Sequence, residues 1–398
     1  MAGFDKLWKE VIGVGLCIDC GTCVGVCPSK AIEMDYETEE PRSIGKCPAR
    51  CELCYQVCPG QNIPIPDLER KIFGRERNKE EEWVGISQDF VIGCSTDPLL
   101  RIGGSSGGLI SALLVYALEK GVIDAALVTG NRQDKPWRVI PRLVTNRQEV
   151  METSQSKLSP VPNISLLAEA LDRGYKKLGI VGLPHHVHGV RKMQLIGMPK
   201  KAVESIQFII GLCHGTDHYF QAAEHIVEEL ARVPLEEVSK VRIRNGHYPG
   251  LYTIFTKDGR RVVLPDAARR AHSFAFRKYR DALSSDYSSE LADVSMGDFF
   301  SPQMVEGSPG YTIAAIRTDV GKKLLADAEA AGYIETKPSN KDPFVWGGFE
   351  TKKHGGLYHM LERKRHGWPV PDLHRPVDYP EPEPRNLGLR VGKVHPHY

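Results

Sequence analysis

The sequence predicts a mixed, mostly parallel α/β sheet domain preceded by a small cysteine-rich head, and three observations carry that expectation. Eight of the ten cysteines fall between positions 17 and 58, so the chain is compositionally divided. From about residue 86, short apolar runs of strand length alternate with amphipathic runs of helix length, the pattern that lays helices over a parallel sheet. The length of 398 residues exceeds the roughly 100–200 residues of one ordinary domain. Hydrophobic residues at 41% and charged residues at 26% are ordinary globular values, which sets aside a disordered or fibrous chain.

Residues 1–65 make the head. The run "CIDCGTCVGVCP" (17–28) has the spacing C-x2-C-x2-C-x3-C-P, by which a bacterial-type ferredoxin wraps three thiolates around one [4Fe-4S] cube and lends the fourth to another. A second run, "CPARCELCYQVCP" (47–59), repeats it with one extra residue between its first two cysteines. The crossover rule gives one cube Cys17, Cys20, Cys23 and Cys58, and the other Cys47, Cys51, Cys54 and Cys27. Zinc sites of the C-x2-C type separate their pairs by a longer arm, so the triplets favour iron. Residues 1–60 hold 6 basic and 9 acidic side chains, a charge of −3; the whole chain carries +2, which leaves +5 for the remainder. The head is acidic and the body basic.

The amino-terminal "MAGFDKLWKE" has acidic residues and no apolar stretch, so neither a secretory signal nor a transit peptide is expected and the location expected is cytoplasmic. There thiols stay reduced, and cysteines serve metals or catalysis rather than disulfides. The longest apolar run, "GLISALLVYAL" (108–118), is about half the roughly 20 residues of a membrane span. It reads as a buried helix, and no membrane span is expected.

Residues 66–85 mix charges densely after two close prolines and read as a charged linker. The body, residues 86–366, then proceeds as a helix over "GGLISALLVYALEKG", a strand "DAALVTG", a helix "ISLLAEALDRGYK", and strands "KLGIVGLP" and "SIQFIIGLCHG". The helix "YFQAAEHIVEELARV" follows, then the hairpin "LYTIFTKDGRRVVLP" turning at Asp258-Gly259. Residues 367–398 form a Pro-rich tail.

Ligands of such sheets bind beyond the carboxyl ends of the strands. The loop "RIGGSSGGLISALL" (101–114) places Ser105, Ser106, Gly107 and Gly108 at a helix amino terminus, where free amides and hydroxyls suit a phosphate or a flavin edge, or form a plain loop and N-cap. The segment "ARRAHSFAFRKYR" interleaves Arg269, Arg270, Arg277, Lys278 and Arg280 with aromatics, as an anionic cofactor site or a solvated face would. The near-neutral chain carries no nucleic-acid motif, so nucleic acid is not an expected partner. In "GLPHHVHGVRK" (182–192), His185 and His188 have a spacing that can share a metal. No second ligand pair or H-E-x-x-H follows, so the histidines read better as polar lining of a pocket.

Several loops resemble those of one family, the beta subunits of coenzyme F420-reducing hydrogenases and F420-dependent formate dehydrogenases. The matching stretches are "GGSSGGLISALLVYALEKGVIDAALVTG", "SQSKLSPVP", "GLPHHVHGVRKM", "IIGLCHGT", "RIRNGHYPG" and "ELADVSMGDFF", in order from 103 to 300. The resemblance implies FAD in the body and electron passage between it and iron–sulfur clusters. It implies that Ser106, Gly107 and Gly108 form a flavin-contacting turn and that Lys157 steadies reduced flavin or a phosphate, although Leu158 replaces the family's tyrosine. Asn245 and Gly246 would fall in the substrate-side loop, and Asp298 would end an Ala-Asp-x-Ser-x-Gly-Asp motif.

The departures concern a further cluster that the resemblance places beside FAD. His185 stands where a cysteine is expected, Asp281 and Ser284 stand in two more cysteine places, and only Cys213 of the four remains. One thiolate cannot hold a cube. The expectation is an iron–sulfur flavoprotein oxidoreductase with FAD, two [4Fe-4S] clusters and a head packed closely on the body. Hydride would be exchanged with coenzyme F420 and single electrons with a protein redox partner or ferredoxin, with His185 as a proton donor in the emptied pocket. Reduction of another organic substrate, tetrapyrrole-like, on the same scaffold is one alternative; a non-catalytic electron relay and a zinc protein are the others.

Overall fold

The computed structural model describes residues 3–265, 274–299, 309–346 and 348–375. Arg269, Arg270 and residues 376–398 of the Pro-rich tail lie outside the described residues.

In the head, each cysteine triplet leads into one helical turn, Thr22–Gly25 and Leu53–Gln56. Strands β1 (Ile32–Asp35) and β2 (Glu40–Ser43) pair antiparallel beside them. Phe4, Leu7, Val11, Val26 and Val57 are buried with the thiols, so a little apolar surface is enough to fix the loops that carry sulfur.

The body strands are β3 (Asp89–Ser95), β4 (Ala125–Asn131), β5 (Val139–Val144), β6 (Leu178–Gly182), β7 (Ile206–Leu212), β8 (Val238–Asn245), β9 (Leu251–Thr256), β10 (Arg261–Leu264), β11 (Val294–Asp298), β12 (Thr312–Ile316) and β13 (Ile334–Pro338). Eight of them form one mixed sheet in the order β13-β3-β12-β11-β7-β6-β4-β5. Its centre, β11-β7-β6-β4, is parallel, and the edges are antiparallel additions. Following the pairings across the sheet, β3, β11, β7, β6 and β4 all run the same way. β6 is buried along its whole length, as apolar strands covered on both faces must be. The hairpin expected at Asp258-Gly259 is β9-β10, and β8 joins it to make a separate three-stranded sheet.

Helix Leu109–Glu119 packs against the sheet with Leu109 and residues 112–117 buried, which explains its nearly unbroken apolar sequence. The stretch expected as one helix after β7 is Gln221–His225, continuing as a wider turn over Ile226–Leu230.

The charged stretch 66–85 is not the open linker its composition suggests. Helix Ile65–Phe73 starts one residue ahead of this stretch and buries Leu68 and Glu69. Arg77 then lies between Glu69 (2.5 Å) and Glu290 (2.5 Å), and Glu290 also pairs with Lys353 at 2.7 Å, all of them buried. The sequence conceals this because the partners are about two hundred residues away. Residues of the expected tail also join here: Ile63 N–H donates to the Asp372 carbonyl, and Arg375 grips Glu82.

Head and body share one core, in which Val26 and Val57 meet Ile164, Leu167, Val187 and Val190. Helix Pro184–Ile196 is the main contact. At Gly189 a Cβ would sit 2.2 Å from the Thr22 hydroxyl oxygen, so only glycine lets the helix come this close. Further along, Lys192 Nζ donates to the carbonyls of Cys58 (2.6 Å) and Asn62 (2.9 Å). The opposite charges of the two parts meet directly: buried Lys278 pairs with Asp19 and, at 2.9 Å, with Glu39. Arg138 pairs with Glu37 at 2.9 Å.

Candidate functional site

The head brings its eight cysteines into two groups of four. Cys17, Cys20, Cys23 and Cys58 line one small cavity, and Cys27, Cys47, Cys51 and Cys54 line another. Burial pushes the thiols of Cys20 and Cys54 up to about 12, so they resist ionising until a cation compensates the charge.

The body holds a cavity of about 490 Å³. Thr129 of β4, Gly182 of β6, Leu212 of β7 and Asp298 of β11 place it across the carboxyl ends of the parallel strands, where an open α/β sheet keeps its ligands. Gly104, Ser105, Ser106 and Gly108 supply the edge formed by the amino end of helix Leu109–Glu119. Gly108 has φ +70°, which turns the chain into that helix at a position costly for a side chain.

Ser105 Oγ accepts from the Ser156 amide at 2.8 Å, which ties the loop to the 153–159 segment. Ser106 Oγ donates to Asp298, and Arg244 Nη1 donates to the other carboxylate oxygen of Asp298. Gly107 does not line the cavity; its amide donates to the Pro309 carbonyl at 3.1 Å and its own carbonyl accepts from Ser95. The structure likewise keeps Asn245 and Gly246 out of the cavity wall and brings their neighbour Arg244 in through the ion pair with Asp298. Arg244 was one residue away from the expected pair; the alternation of β8 decides which of these side chains points inward.

Lys157 lines this cavity and also a second one of about 400 Å³. Residues 153–159 form the shared wall. Lys157 Nζ donates to the carbonyls of Thr153, Ser154 and Gln155 at 3.2, 2.7 and 3.0 Å. These contacts favour the ammonium, but burial and the cations of Arg242 and Lys240 outweigh them and lower its pKa to about 7. Arg132, Arg142, Lys240 and Arg242 make the second cavity basic.

The three histidines of helix Pro184–Ile196 take different places. His186 lines the main cavity; its Nδ1 accepts the Leu183 amide at 3.0 Å, which leaves Nε2–H to donate to the Val161 carbonyl at 2.7 Å. Burial lowers its pKa to about 4, so it is neutral near pH 7. His188 meets Asp286 at 3.1 Å. His185, expected to line the pocket, lies one layer deeper, with Nδ1 3.7 Å from Asp217 and Nε2 buried without a hydrogen-bond partner. His214 and Asp217, in the loop after β7, do line the cavity. The signal for them was the polar "CHGTDH" directly after an apolar strand.

A paired-triplet head on an α/β body with a cavity at the strand ends defines an iron–sulfur oxidoreductase subunit, and residues 16–62 match the model of the 4Fe-4S dicluster domain. Residues 90–168 and 175–342 match the N-terminal and C-terminal models of the coenzyme F420 hydrogenase/dehydrogenase beta subunit; the chain belongs to that family. It is 32% identical over 261 residues to the coenzyme F420 hydrogenase beta subunit of Methanosarcina barkeri, covering 65% of this chain and 84% of that one. It is 26% identical over 414 residues to the coenzyme F420-dependent sulfite reductase of Methanocaldococcus jannaschii, covering 92% of this chain but only 59% of the reductase. Among solved structures, a chain of the F420-reducing [NiFe] hydrogenase complex from Methanosarcina barkeri superposes with a TM-score of 0.59 at 29% identity, over 72% of this chain and 95% of that one. Among the described residues, no helix is long and apolar enough to cross a membrane.

Proposed function

We propose that this protein is an iron–sulfur flavoprotein that exchanges electrons between coenzyme F420 and one-electron carriers, as a subunit of a larger redox assembly. The observation that carries the reading is the single helix Pro184–Ile196, which lines the body cavity with His186 and grips the carbonyl of Cys58 with Lys192. A site for two-electron chemistry and a site for one-electron carriers thus share one rigid element.

The residues fit the groups proposed. Two cavities each lined by four thiols suit two [4Fe-4S] clusters, with Cys17, Cys20, Cys23 and Cys58 on one and Cys27, Cys47, Cys51 and Cys54 on the other. The body cavity is within the roughly 300–1,000 Å³ of cofactor clefts, with apolar walls from Leu114, Val128, Val181 and Met296 and polar groups at its edge, which suits FAD. FAD bound there supplies the conversion between hydride and single electrons. Lys157 takes up a proton when an anion approaches, Ser105 and Ser106 hold the loop at the helix end, and neutral His186 presents a fixed tautomer. The basic second cavity suits the anionic phosphate and glutamate tail of F420. Relatives described as an F420 hydrogenase, an F420H2 dehydrogenase and an F420-dependent sulfite reductase share F420 and differ in the other partner, which favours F420 as the common substrate.

The test is anaerobic purification with iron, sulfide and flavin analysis, followed by oxidation of reduced F420 with a viologen acceptor. About eight irons, one FAD and turnover are expected. Eight irons without flavin in every preparation and no F420 oxidation would overturn the reading.

A further inference from the structure

Between the head and the body cavity lies a group of buried ligand-type side chains that the proposed electron path does not use. His214, Asp217 and Asp281 each offer a nitrogen or carboxylate oxygen, and these atoms lie within 4.8 Å of one another. His185 stands beside this set, with Nδ1 3.7 Å from Asp217 Oδ2; His214 Nε2 is 3.7 Å from Asp281 Oδ1. Relative exposures are 7% for His185, 8% for His214, 4% for Asp217 and 0% for Asp281. Each has a buried polar atom without a hydrogen-bond partner: His185 Nε2, His214 Nδ1, Asp217 Oδ2 and Asp281 Oδ1. Two of these, Asp217 Oδ2 and Asp281 Oδ1, are the carboxylate oxygens that face the imidazole nitrogens at 3.7 Å, and buried oxygens left so are rare in a native interior, where such groups are nearly always satisfied.

We infer that His185, His214, Asp217 and Asp281 bind one divalent first-row transition-metal ion. Two imidazoles and two carboxylates without sulfur are the donor set for such an ion held singly. Donors on a tetrahedral ion at about 2.0–2.2 Å sit roughly 3.3–3.6 Å apart, so the 3.7 Å pairs need almost no movement, the His214, Asp217 and Asp281 atoms close by about an ångström, and His185 turns in farther as the fourth ligand. The charge also fits. Two carboxylates are buried together; Arg277, at 2.7 Å from Asp281 Oδ2, balances one charge, and a cation between them answers the other.

Surrounding contacts hold the ligands in position. His185 opens helix Pro184–Ile196, His214 N–H donates to the Tyr287 carbonyl at 3.0 Å, and Asp281 sits in the short helix Tyr279–Leu283, one residue beyond Lys278, which pairs with the head. An ion here would clamp three segments of the body at the face that receives the head. His214 and Asp217 also belong to the wall of the body cavity, and elemental analysis reads the ion directly whether or not that cavity takes FAD.

The test is elemental and acid-labile sulfide analysis of the anaerobically purified full chain, after exposure to one equivalent of Zn2+. The expected result is about eight irons with about eight sulfides, plus one further divalent ion, zinc or a ninth iron unmatched by sulfide. Asp217→Asn and His214→Gln should each lower the extra ion from about one equivalent to below about 0.1 while leaving the eight irons, and His188→Gln should retain it. No ion beyond the eight irons would overturn the inference. So would an extra ion that persists in both variants, or twelve irons matched by twelve sulfides, which would mean a third cluster. If the variants do not fold, X-ray absorption at the zinc edge of the zinc-exposed, unaltered chain decides: nitrogen and oxygen neighbours alone support the site, and sulfur neighbours refute it.

Discussion

The thiol pockets of the head and the Lys157 and His186 side of the body cavity bury ionisable groups of opposite kind. The head encloses acids: thiols packed in fours, with those of Cys20 and Cys54 held neutral by burial up to about pH 12. Two of the groups that border the main body cavity are buried bases, Lys157 with its pKa lowered to about 7 and His186 lowered to about 4, beside the carboxylates Asp217 and Asp298. In both, desolvation opposes charge until a partner of opposite sign arrives. The sign of these groups matches what each part is proposed to bind: iron among the thiols, and an anion beside Lys157. The two parts meet through charge as well, since the acidic head presents Asp19, Glu37 and Glu39 to Lys278 and Arg138.

The sharpest way to break this contrast is to remove one thiol. Cys54→Ala should cost the head one cluster, about four of eight irons, and leave flavin content unchanged, read by iron, sulfide and flavin analysis. Loss of both cofactors together would show that the parts do not load separately.

Next is the buried ion network that closes the body around helix Ile65–Phe73. Glu290→Gln leaves Arg77 and Lys353 undercompensated and should destabilise the protein by about 3–5 kcal/mol, measured by denaturant unfolding. A change under about 1 kcal/mol would mean that the network is solvated.

A smaller effect is expected at Lys157, which tests the anion reading of the body. The free lysine is mostly amine above about pH 7, and an anion restores its ordinary value near 10.5, so binding takes up a proton. Affinity for FAD should therefore fall as pH rises from about 7 toward 10, by up to about tenfold per unit, and Lys157→Gln should flatten that profile. The same sign governs stability without ligand: the cost of burying the ammonium is full below about pH 7 and is relieved as pH rises. The smallest effect is reserved for Asn245, which lies outside the cavity wall. Asn245→Ala should shift stability by no more than about 0.5 kcal/mol and leave FAD affinity unchanged, read by thermal unfolding and flavin titration.

The cysteine grouping was legible because the ligands are local: spacing within 12 residues decides which thiols share a loop, and the crossover pairs are those the structure brings together. The central strands were legible because apolar runs between turn signals record burial directly. The cavity was legible in part. Ser105, Ser106, Gly108, Lys157 and Asp298 sit on loops at strand ends or at a helix start, and the structure places all of them in its wall. Gly107, Asn245 and Gly246 sit beside wall residues and face away, a choice set by backbone direction that composition does not record. The packed stretch after the head was misread because Glu69, Arg77, Glu290 and Lys353 look solvated one by one. Only the fold, which brings position 77 to 290, makes them a buried set.

Helix Pro184–Ile196 also acts as a ruler. His186 and Lys192 are six residues apart, and at about 1.5 Å of rise per residue they are separated by roughly 9 Å along a rod that cannot stretch without breaking its own hydrogen bonds. Because one end sits in the cavity wall and the other is fastened to a cysteine loop, the gap between the body cavity and that loop is a fixed length set by residue count. Inserting a single residue between them would rotate one grip by about 100° away from its target. The tolerance of the distance between cavity and cysteine loop is thus written in the spacing of seven consecutive residues.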